Sequence, residues 1–147
     1  MSAPRQLKKI NTFSFDGEAV LTAGDGVGTG KVFHYIKGKF DFHQRVYKVS
    51  DFKDELYGYY FFLYFSNNFY KRIMQMTAKS SVDSVRMEMI ADMQIPHPPT
   101  KAEQTAIAQI LSDMDAESEK LEQKLVKYRQ IKQGMMQELL TGKTRLA

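Results

Sequence analysis

"IPHPPTKAEQ", residues 95–104, marks the point at which one kind of sequence gives way to another. Its prolines favour an extended connector, because proline lacks the N–H and the backbone freedom that a helix interior requires. Thr100 is a good N-cap, and Glu103 stands three residues later, which is the pattern of a capping box. The stretch therefore predicts a helix directly after Thr100 and divides the chain into two domains, residues 1–99 and residues 100–147.

The segment that follows has a heptad pattern. Apolar residues recur at alternating steps of four and three, the spacing of a coiled-coil seam, with interruptions at Ser118 and Lys132. The helix is predicted from Lys101 to about Thr141, where Gly142 ends it, so about 41 residues span about 60 Å. A domain of this size cannot bury such a helix along its length. The seam therefore requires a partner helix, from another copy or another protein, unless the helix is simply solvated. The predicted oligomer interface comprises Ile107, Leu111, Met114, Leu121, Leu125, Tyr128, Met135 and Leu139.

The first hundred residues are typical of short strands followed by an aromatic helical region. The segments FSFDGEAVLT, KVFHYI and FDFHQRVYKV, between residues 13 and 49, are rich in aromatic and β-branched residues and are separated by glycine-containing turns. Residues 50–76 place aromatic side chains at steps of three and four, which predicts one helical face. This face can stack on nucleic-acid bases, but we expect it to pack against the sheet. Ser66, Asn67 and Asn68 predict a break into two helices.

These patterns together predict an α+β fold. A small mixed domain is followed by one long C-terminal helix that forms a coiled coil.

A glycine-rich stretch, "LTAGDGVGTGKVFHY" at residues 21–35, invites comparison with phosphate-binding loops. Asp25 and Val32 occupy the places where a P-loop requires glycine and Ser or Thr. The third glycine of the dinucleotide-binding fingerprint would fall at Thr29, so both nucleotide motifs are absent. Two interpretations remain, namely a glycine-rich turn between strands, or a backbone surface pressed against a ligand such as a phosphate chain.

Composition limits the class of protein. The chain has 147 residues, a net charge of +4 and no cysteine, which excludes disulfides and cysteine-based zinc sites. The basic excess lies mostly before residue 100, and it is compatible with a polyanionic partner. The first residues carry charges where a signal peptide needs an apolar run, and the longest apolar block, residues 59–65, is too short to span a bilayer. We expect a cytoplasmic protein without membrane contact.

Catalytic and metal-binding patterns are missing from the sequence. His34, His43 and His97 lie in different segments without ligand spacing. Acid-x-lysine pairs at Asp51 and Glu122 imitate the end of a nuclease motif, but neither has the Pro-Asp that should precede it. We therefore expect no catalytic residue, no metal and no cofactor.

Three stretches of the sequence resemble the specificity (S) subunits of type I restriction-modification enzymes. They are GDGVGTGKVFHYIKGKFDFHQRVYKV, TAKSSVDSVRMEMIADMQIPHPPTKAEQTAIAQIL and KLVKYRQIKQGMMQELLTGK. The most specific parts are the Ile-Pro-x-Pro-Pro run that leads into Glu103, Gln104 and Ile107, and the Lys-Gln-Gly-Met-Met-Gln-x-Leu-Leu ending from Lys132. The resemblance covers about residues 17 to 142.

The resemblance implies a non-catalytic component whose partners are double-stranded DNA and methyltransferase subunits, and through them restriction subunits. In this family target recognition domains read DNA half-sites, while long helices set their spacing and hold the methyltransferase. Residues 1–99 correspond to one recognition domain, shortened at its N-terminus, and residues 100–147 to one spacer helix. We therefore expect a half-sized or truncated S subunit, since the usual subunit has two such domains.

The resemblance also implies which side chains face DNA. Arg45 is the best candidate for reading a base, although a buried, salt-bridged arginine within a strand is the alternative. The backbone of residues 24–30 is expected to approach phosphates together with neighbouring lysines. Lys79, Ser80, Ser81 and Arg86 form a second candidate surface for DNA. The alternative interpretation of this segment is an ordinary polar loop. The predicted DNA-binding residues are Gly26, Gly28, Lys31, Lys37, Lys39, Arg45, Lys79, Ser80, Ser81 and Arg86.

Two hypotheses for function follow. In the first, the chain is a DNA-specificity module that forms a homodimer through antiparallel helices. In the second, it is a truncated S-like protein that binds methyltransferase subunits or a full S subunit through the helix, without reading DNA.

Overall fold

Three antiparallel strands form the centre of the fold. The computed structural model describes residues 12–77 and 84–146. Strands β1 (Phe15–Ala23), β2 (Phe33–Phe40) and β3 (Val46–Ser50) pair in the order β2-β1-β3. Each strand overlaps one of the three predicted segments, which confirms the interpretation of their aromatic and β-branched composition. In this register Val20 of the central strand lies opposite Tyr35 on one side and Val49 on the other.

One face of the sheet packs against helix α1 (Gly58–Met76). The helix buries a row of residues at four-residue spacing, and these residues form one cluster with Val20 of β1. The rings of Phe65 and Phe69 stack with their centroids 4.4 Å apart. Large aromatic side chains supply much of the buried apolar area of a small core. The predicted packing of the aromatic face against the sheet is confirmed. The buried row is Phe61, Phe65, Phe69 and Ile73.

The other face of the sheet carries a second cluster. Ala19 and Leu21 alternate with Val20 along β1, so they point to the opposite side. They pack with Phe40 at the end of β2, whose ring lies 5.2 Å from that of Phe15. Both faces of β1 are therefore buried.

The predicted break in the aromatic helix is wrong. Residues 66–68 lie inside α1, which runs without interruption from Gly58 to Met76. Asn68 donates its side-chain N–H to the Tyr64 carbonyl, and Ser66 donates its hydroxyl to the Leu63 carbonyl. Because these polar side chains bond to the preceding turn, they do not compete for a non-helical conformation. The burial of Phe65 and Phe69 on either side holds the segment helical.

A short helix, α2 (Met87–Ala91), closes the core after α1. Met89 is buried, and its carbonyl accepts a hydrogen bond from Nε of Arg72 on α1 at 3.0 Å. Just before α2, the Val85 carbonyl accepts a hydrogen bond from the Tyr47 hydroxyl of β3 at 3.1 Å. These bonds fix the segment from residue 84 against both the sheet and α1.

The long C-terminal helix, α3, spans Lys101–Leu140. Thr100 caps it as predicted, since its side-chain oxygen accepts the Glu103 N–H at 3.3 Å. At the other end Gly142 adopts a positive φ of 71° and donates its N–H to the Leu139 carbonyl, an ending that favours glycine. The predicted α+β fold with a long C-terminal helix is confirmed.

The start of α3 is anchored by the side chain of Gln104, which is fully buried. Its oxygen accepts the Tyr57 N–H at 2.8 Å, and its nitrogen donates to the carbonyls of Glu55 and Pro98, both at 2.8 Å. A buried amide with these partners is well satisfied. The helix start is thereby tied to the loop that precedes α1.

The chain divides into two compact units, one up to Ala108 and one from Gln109 onward. The first two turns of α3 therefore belong to the unit that contains the sheet. Among residues 12–77 and 84–146, no helix is long and apolar enough to cross a membrane.

Candidate nucleic-acid interface

The loop between β1 and β2, residues 24–32, is fixed at its first residue by two backbone hydrogen bonds. Gly24 donates its N–H to the Arg45 carbonyl at 2.8 Å, and its own carbonyl accepts the Val85 N–H at 2.7 Å. A Cβ at Gly24 would stand 3.0 Å from the Arg45 oxygen, which is closer than nearly all real Cβ contacts. Glycine is therefore needed here for close approach to the connection between β2 and β3. The interpretation as a turn between two strands is correct.

The second half of the loop is fixed by a buried threonine. Thr29 is 3% exposed, and its hydroxyl donates to the Gly26 carbonyl at 2.6 Å. Gly26 and Gly30 both have positive φ values, 80° and 67°, which disfavour other residues. Gly30 also packs so closely on Ile73 of α1 that a Cβ would lie 2.8 Å from it. The loop is thus held at both ends, and Val27 at its tip is 98% exposed.

The predicted row of phosphate-binding N–H groups is only partly available. Gly24 donates to Arg45, Thr29 donates to Gly26, and Lys31 donates to Gly28. An N–H that already bonds to the protein is not free to bind an anion. The expectation that all N–H groups from Gly24 to Gly30 face phosphate is therefore wrong for Gly24 and Thr29.

Arg45 lies in the turn before β3 and points into solvent. Its Nε stands 3.7 Å from a carboxylate oxygen of Asp25, with the two side chains 68% and 46% exposed. The alternative of a buried arginine inside a strand is wrong, because β3 begins one residue later and the ion pair is accessible. Arg45 thus presents its guanidinium at the surface beside the glycine-rich loop.

A groove of about 340 Å³ runs between this arginine and the segment before α2. The backbone of Asp25 forms an isolated antiparallel bridge with Ser84, which brings the loop and this segment together. We call this the Arg45 groove. It is lined by Gly24, Asp25, Gln44, Arg45, Val46, Tyr47, Ser84 and Val85.

The second predicted surface is only partly described. Arg86 is exposed directly after the groove-lining Val85 and forms an ion pair with Glu88 at 3.4 Å. The other predicted members of this surface, Lys79, Ser80 and Ser81, lie outside the described residues.

Three of the four predicted lysines lie within the described residues, and they do not gather at the groove. Lys31 is exposed with its Nζ 5.1 Å from the Tyr70 ring of α1. Lys37 and Lys39 are exposed near the far end of β2, directly opposite Glu18 and Asp16 of β1. Lys39 lies six residues beyond Phe33, which stands at the loop end of β2, and this spacing corresponds to about 20 Å at 3.3 Å per residue. Opposite charges at facing positions offset one another, so this end of the sheet has less positive potential than its lysines suggest.

Glu18 has a second partner on the same strand pair. The Tyr35 hydroxyl donates to its carboxylate at 2.5 Å. Burial, helped by this bond and by the negative charge of Glu18, raises the pKa of Tyr35 well above its ordinary range. The hydroxyl therefore remains a donor at neutral pH. On the adjacent position of β2, burial lowers the pKa of His34 below its usual value of 6.5.

Comparison with known proteins identifies the family to which the chain belongs. Residues 3–128 match the type I restriction modification DNA specificity domain. The chain belongs to this family. It is 30% identical over 135 residues to the EcoDI specificity subunit, a type I restriction enzyme component of Escherichia coli. That alignment covers 92% of the chain and 29% of the relative, so the chain spans less than a third of the relative's length. No solved structure matches the chain.

The long helix of this specificity domain exposes its predicted seam. Leu111, Leu121 and Leu125 are 41%, 56% and 48% exposed, although leucine is normally among the more buried residues. Met114, Tyr128 and Met135 are exposed as well, whereas Ile107 and Leu139 are partly buried. That these residues form an oligomer interface stays a prediction.

The sequence analysis assigned no structural or binding role to two residues of the specificity domain, Asp25 and Gln104. Asp25 belongs to no motif, and it becomes notable only because the connection between β2 and β3 brings Arg45 beside it. Gln104 stands out only through its burial, since a glutamine at the start of a helix is ordinary. The available signal was its place in the family motif, directly after the proline-rich run that precedes the helix.

Proposed function

We propose that the chain is the DNA sequence-specificity component of a type I restriction-modification system. In this proposal residues 1–99 read one DNA half-site, and residues 100–147 pair through α3 and hold methyltransferase subunits. The observation that carries the proposal is the family match, which extends from the sheet into the long helix. We assign the chain no catalytic step, metal or cofactor.

The DNA-reading part of the proposal centres on the Arg45 groove. Arginine recognises guanine through two parallel hydrogen bonds, which requires an accessible guanidinium in a defined position. Arg45 is exposed, and its backbone is fixed by Gly24. Gly26 and Gly28 belong to the loop whose first residues line this groove, and in the proposal they approach the DNA backbone. Lys31 and Arg86, outside the groove, would add phosphate contacts that set the register.

The pairing part of the proposal rests on the exposed seam of α3. An exposed apolar stripe along much of a forty-residue helix favours a partner helix. We propose that two copies pair antiparallel about a two-fold axis near Leu121, so that their recognition domains face inverted half-sites. The target would then be a palindrome interrupted by unread base pairs, with the gap set by helix length.

One observation favours the alternative, an S-like interaction protein that does not read DNA. Lys37 and Lys39 face Glu18 and Asp16, so two of the predicted phosphate contacts have acidic neighbours. Such a protein would bind methyltransferase subunits or a full S subunit through the seam alone.

Selection from a pool of random duplex DNA separates the two functions. The full chain is tested alone and with the methyltransferase subunit of its own system. An enriched motif in either condition supports DNA reading, and an interrupted palindrome from the chain alone supports the antiparallel homodimer. A pool that shows no motif in both conditions refutes DNA reading and leaves the interaction protein.

The geometry of the dimer has its own test. One heptad inserted on each side of Leu121 adds fourteen residues, or about 20 Å at 1.5 Å per residue. The gap in the target should widen by several base pairs while the half-site letters stay the same. If the gap between the half-sites does not change with helix length, or if the motif is asymmetric, the antiparallel pairing is contradicted.

A further inference from the structure

The ion pair between Asp25 and Arg45 joins two elements that are far apart in sequence. Asp25 belongs to the β1–β2 loop, and Arg45 belongs to the turn between β2 and β3. The ion pair joins a carboxylate oxygen of Asp25 to Nε of the guanidinium at 3.7 Å, and the guanidinium also carries two Nη groups. Those Nη groups form the outer edge of the guanidinium fork, the edge that can donate two parallel hydrogen bonds.

The pair contributes little to folding. Exposed ion pairs are worth little, because solvent screens the charges and two long side chains must be ordered. The loop and the turn are already joined by the backbone bond from Gly24 to Arg45, and the loop is held to the next segment through Val85. What remains for the carboxylate to influence is the side chain of Arg45 itself, which has many rotamers.

We propose that Asp25 is a positioning residue for Arg45, and that the pair selects guanine at one position of the DNA half-site. This inference rests on the proposed DNA-reading function. The carboxylate at Nε restricts the guanidinium and turns its Nη edge outward, toward the O6 and N7 acceptors that guanine presents in the major groove. No other base offers two acceptors on that edge, so an ordered arginine discriminates more sharply than a mobile one.

A different role for the same carboxylate predicts a different coupling. Asp25 would instead read a base directly if it accepted the amino group of cytosine, which is the other favourable carboxylate contact. A positioning residue acts only through Arg45, so its removal has no further effect once the guanidinium is gone. A direct reader keeps its own effect in that background.

The test measures base preference in the full chain with a random duplex pool, under the condition in which the wild-type chain enriches a motif. The variants are Asp25→Asn, Arg45→Ala and the double variant, with Glu117→Gln as control. The control removes the carboxylate of another exposed ion pair, Glu117–Lys120, which lies on α3. Arg45→Ala should lower the preference for guanine at one position by roughly 5- to 150-fold, the range of one bidentate contact.

Asp25→Asn should lower the preference at that same position by a smaller factor, and the double variant should match Arg45→Ala. Two results overturn the inference alone: a wild-type motif that Asp25→Asn leaves unchanged, or a double variant that loses selectivity at a second position. If Asp25→Asn abolishes binding to all sequences and unfolds the chain, the role of Asp25 is structural, and this result also overturns the inference. A wild-type chain with no motif refutes the proposed function and the inference together.

Discussion

Replacement of Gln104 by alanine tests how the start of α3 is attached. The side chain is fully buried and makes three hydrogen bonds, each 2.8 Å long. At about 1 kcal/mol net for each bond, Gln104→Ala should reduce the free energy of unfolding by about 3 kcal/mol. The loss is a large share of the roughly 5 to 15 kcal/mol that stabilises a typical domain. The melting temperature should fall by roughly 12 to 24 °C, at 4 to 8 °C for each kcal/mol.

Urea denaturation followed by near-UV circular dichroism of tyrosine provides the assay. Of the eight tyrosines, only Tyr128 follows Ala108, so the signal reports mainly on the unit that contains the sheet. Gln109→Ala is the matched control on the same helix. Its side-chain amide is exposed and donates to a carboxylate oxygen of Asp113 at 2.8 Å, so the change in the free energy of unfolding should stay within about 0.5 kcal/mol.

Gln104→Glu separates hydrogen bonding from packing. It preserves the volume and the acceptor for Tyr57, but it places a second oxygen against the carbonyls of Glu55 and Pro98. At neutral pH this variant should therefore be as unstable as Gln104→Ala or more so. A Gln104→Ala change no larger than that of Gln109→Ala, or a neutral Gln104→Glu, would refute the reasoning.

Three further predictions concern the seam, a phosphate contact and acid stability. Leu121→Lys or Leu125→Lys should dissociate the oligomer while the sheet unit stays folded; an unchanged mass in analytical ultracentrifugation contradicts the coiled coil. Lys31→Ala should weaken DNA binding for all sequences and lower the slope of log affinity against log salt by about one, and an unaltered slope argues against a phosphate contact. Burial lowers the pKa of His34 in the folded chain, so the unfolded chain binds the proton first and stability falls as pH drops below about 6.5. The melting-temperature loss between pH 7.5 and pH 5.5 should be smaller in His34→Gln than in wild type or His97→Gln, and equal losses would exclude His34 as the cause.

Local patterns in the sequence were sufficient for the elements of this fold. The period of the aromatic residues indicated the buried face of α1, because side chains four residues apart lie on one side of a helix. Thr100 and Gly142 indicated both ends of α3, since caps act on the nearest backbone groups. The family was also recognisable from short motifs. For the glycine-rich stretch the sequence allowed two interpretations, a turn or a ligand-binding surface, and it did not decide between them.

Those local patterns did not predict contacts between residues that are distant in sequence. The break predicted at residues 66–68 failed, because the side-chain bond of Asn68 and the burial of its neighbours favour a continuous helix. The acidic residues opposite Lys37 and Lys39 follow from the strand register alone.

Residue spacing was enough to predict the three strands, the aromatic helix, the capped long helix and its apolar seam, because each depends on neighbours within a few residues or helical turns. The folded chain was needed to show that Asp25 lies beside Arg45 and that Gln104 forms hydrogen bonds with Glu55 and Tyr57. These contacts span 20 to 49 residues of chain, and whether they form depends on strand register and helix docking. No single residue carries that information, since register and docking are set by the packing of the whole core.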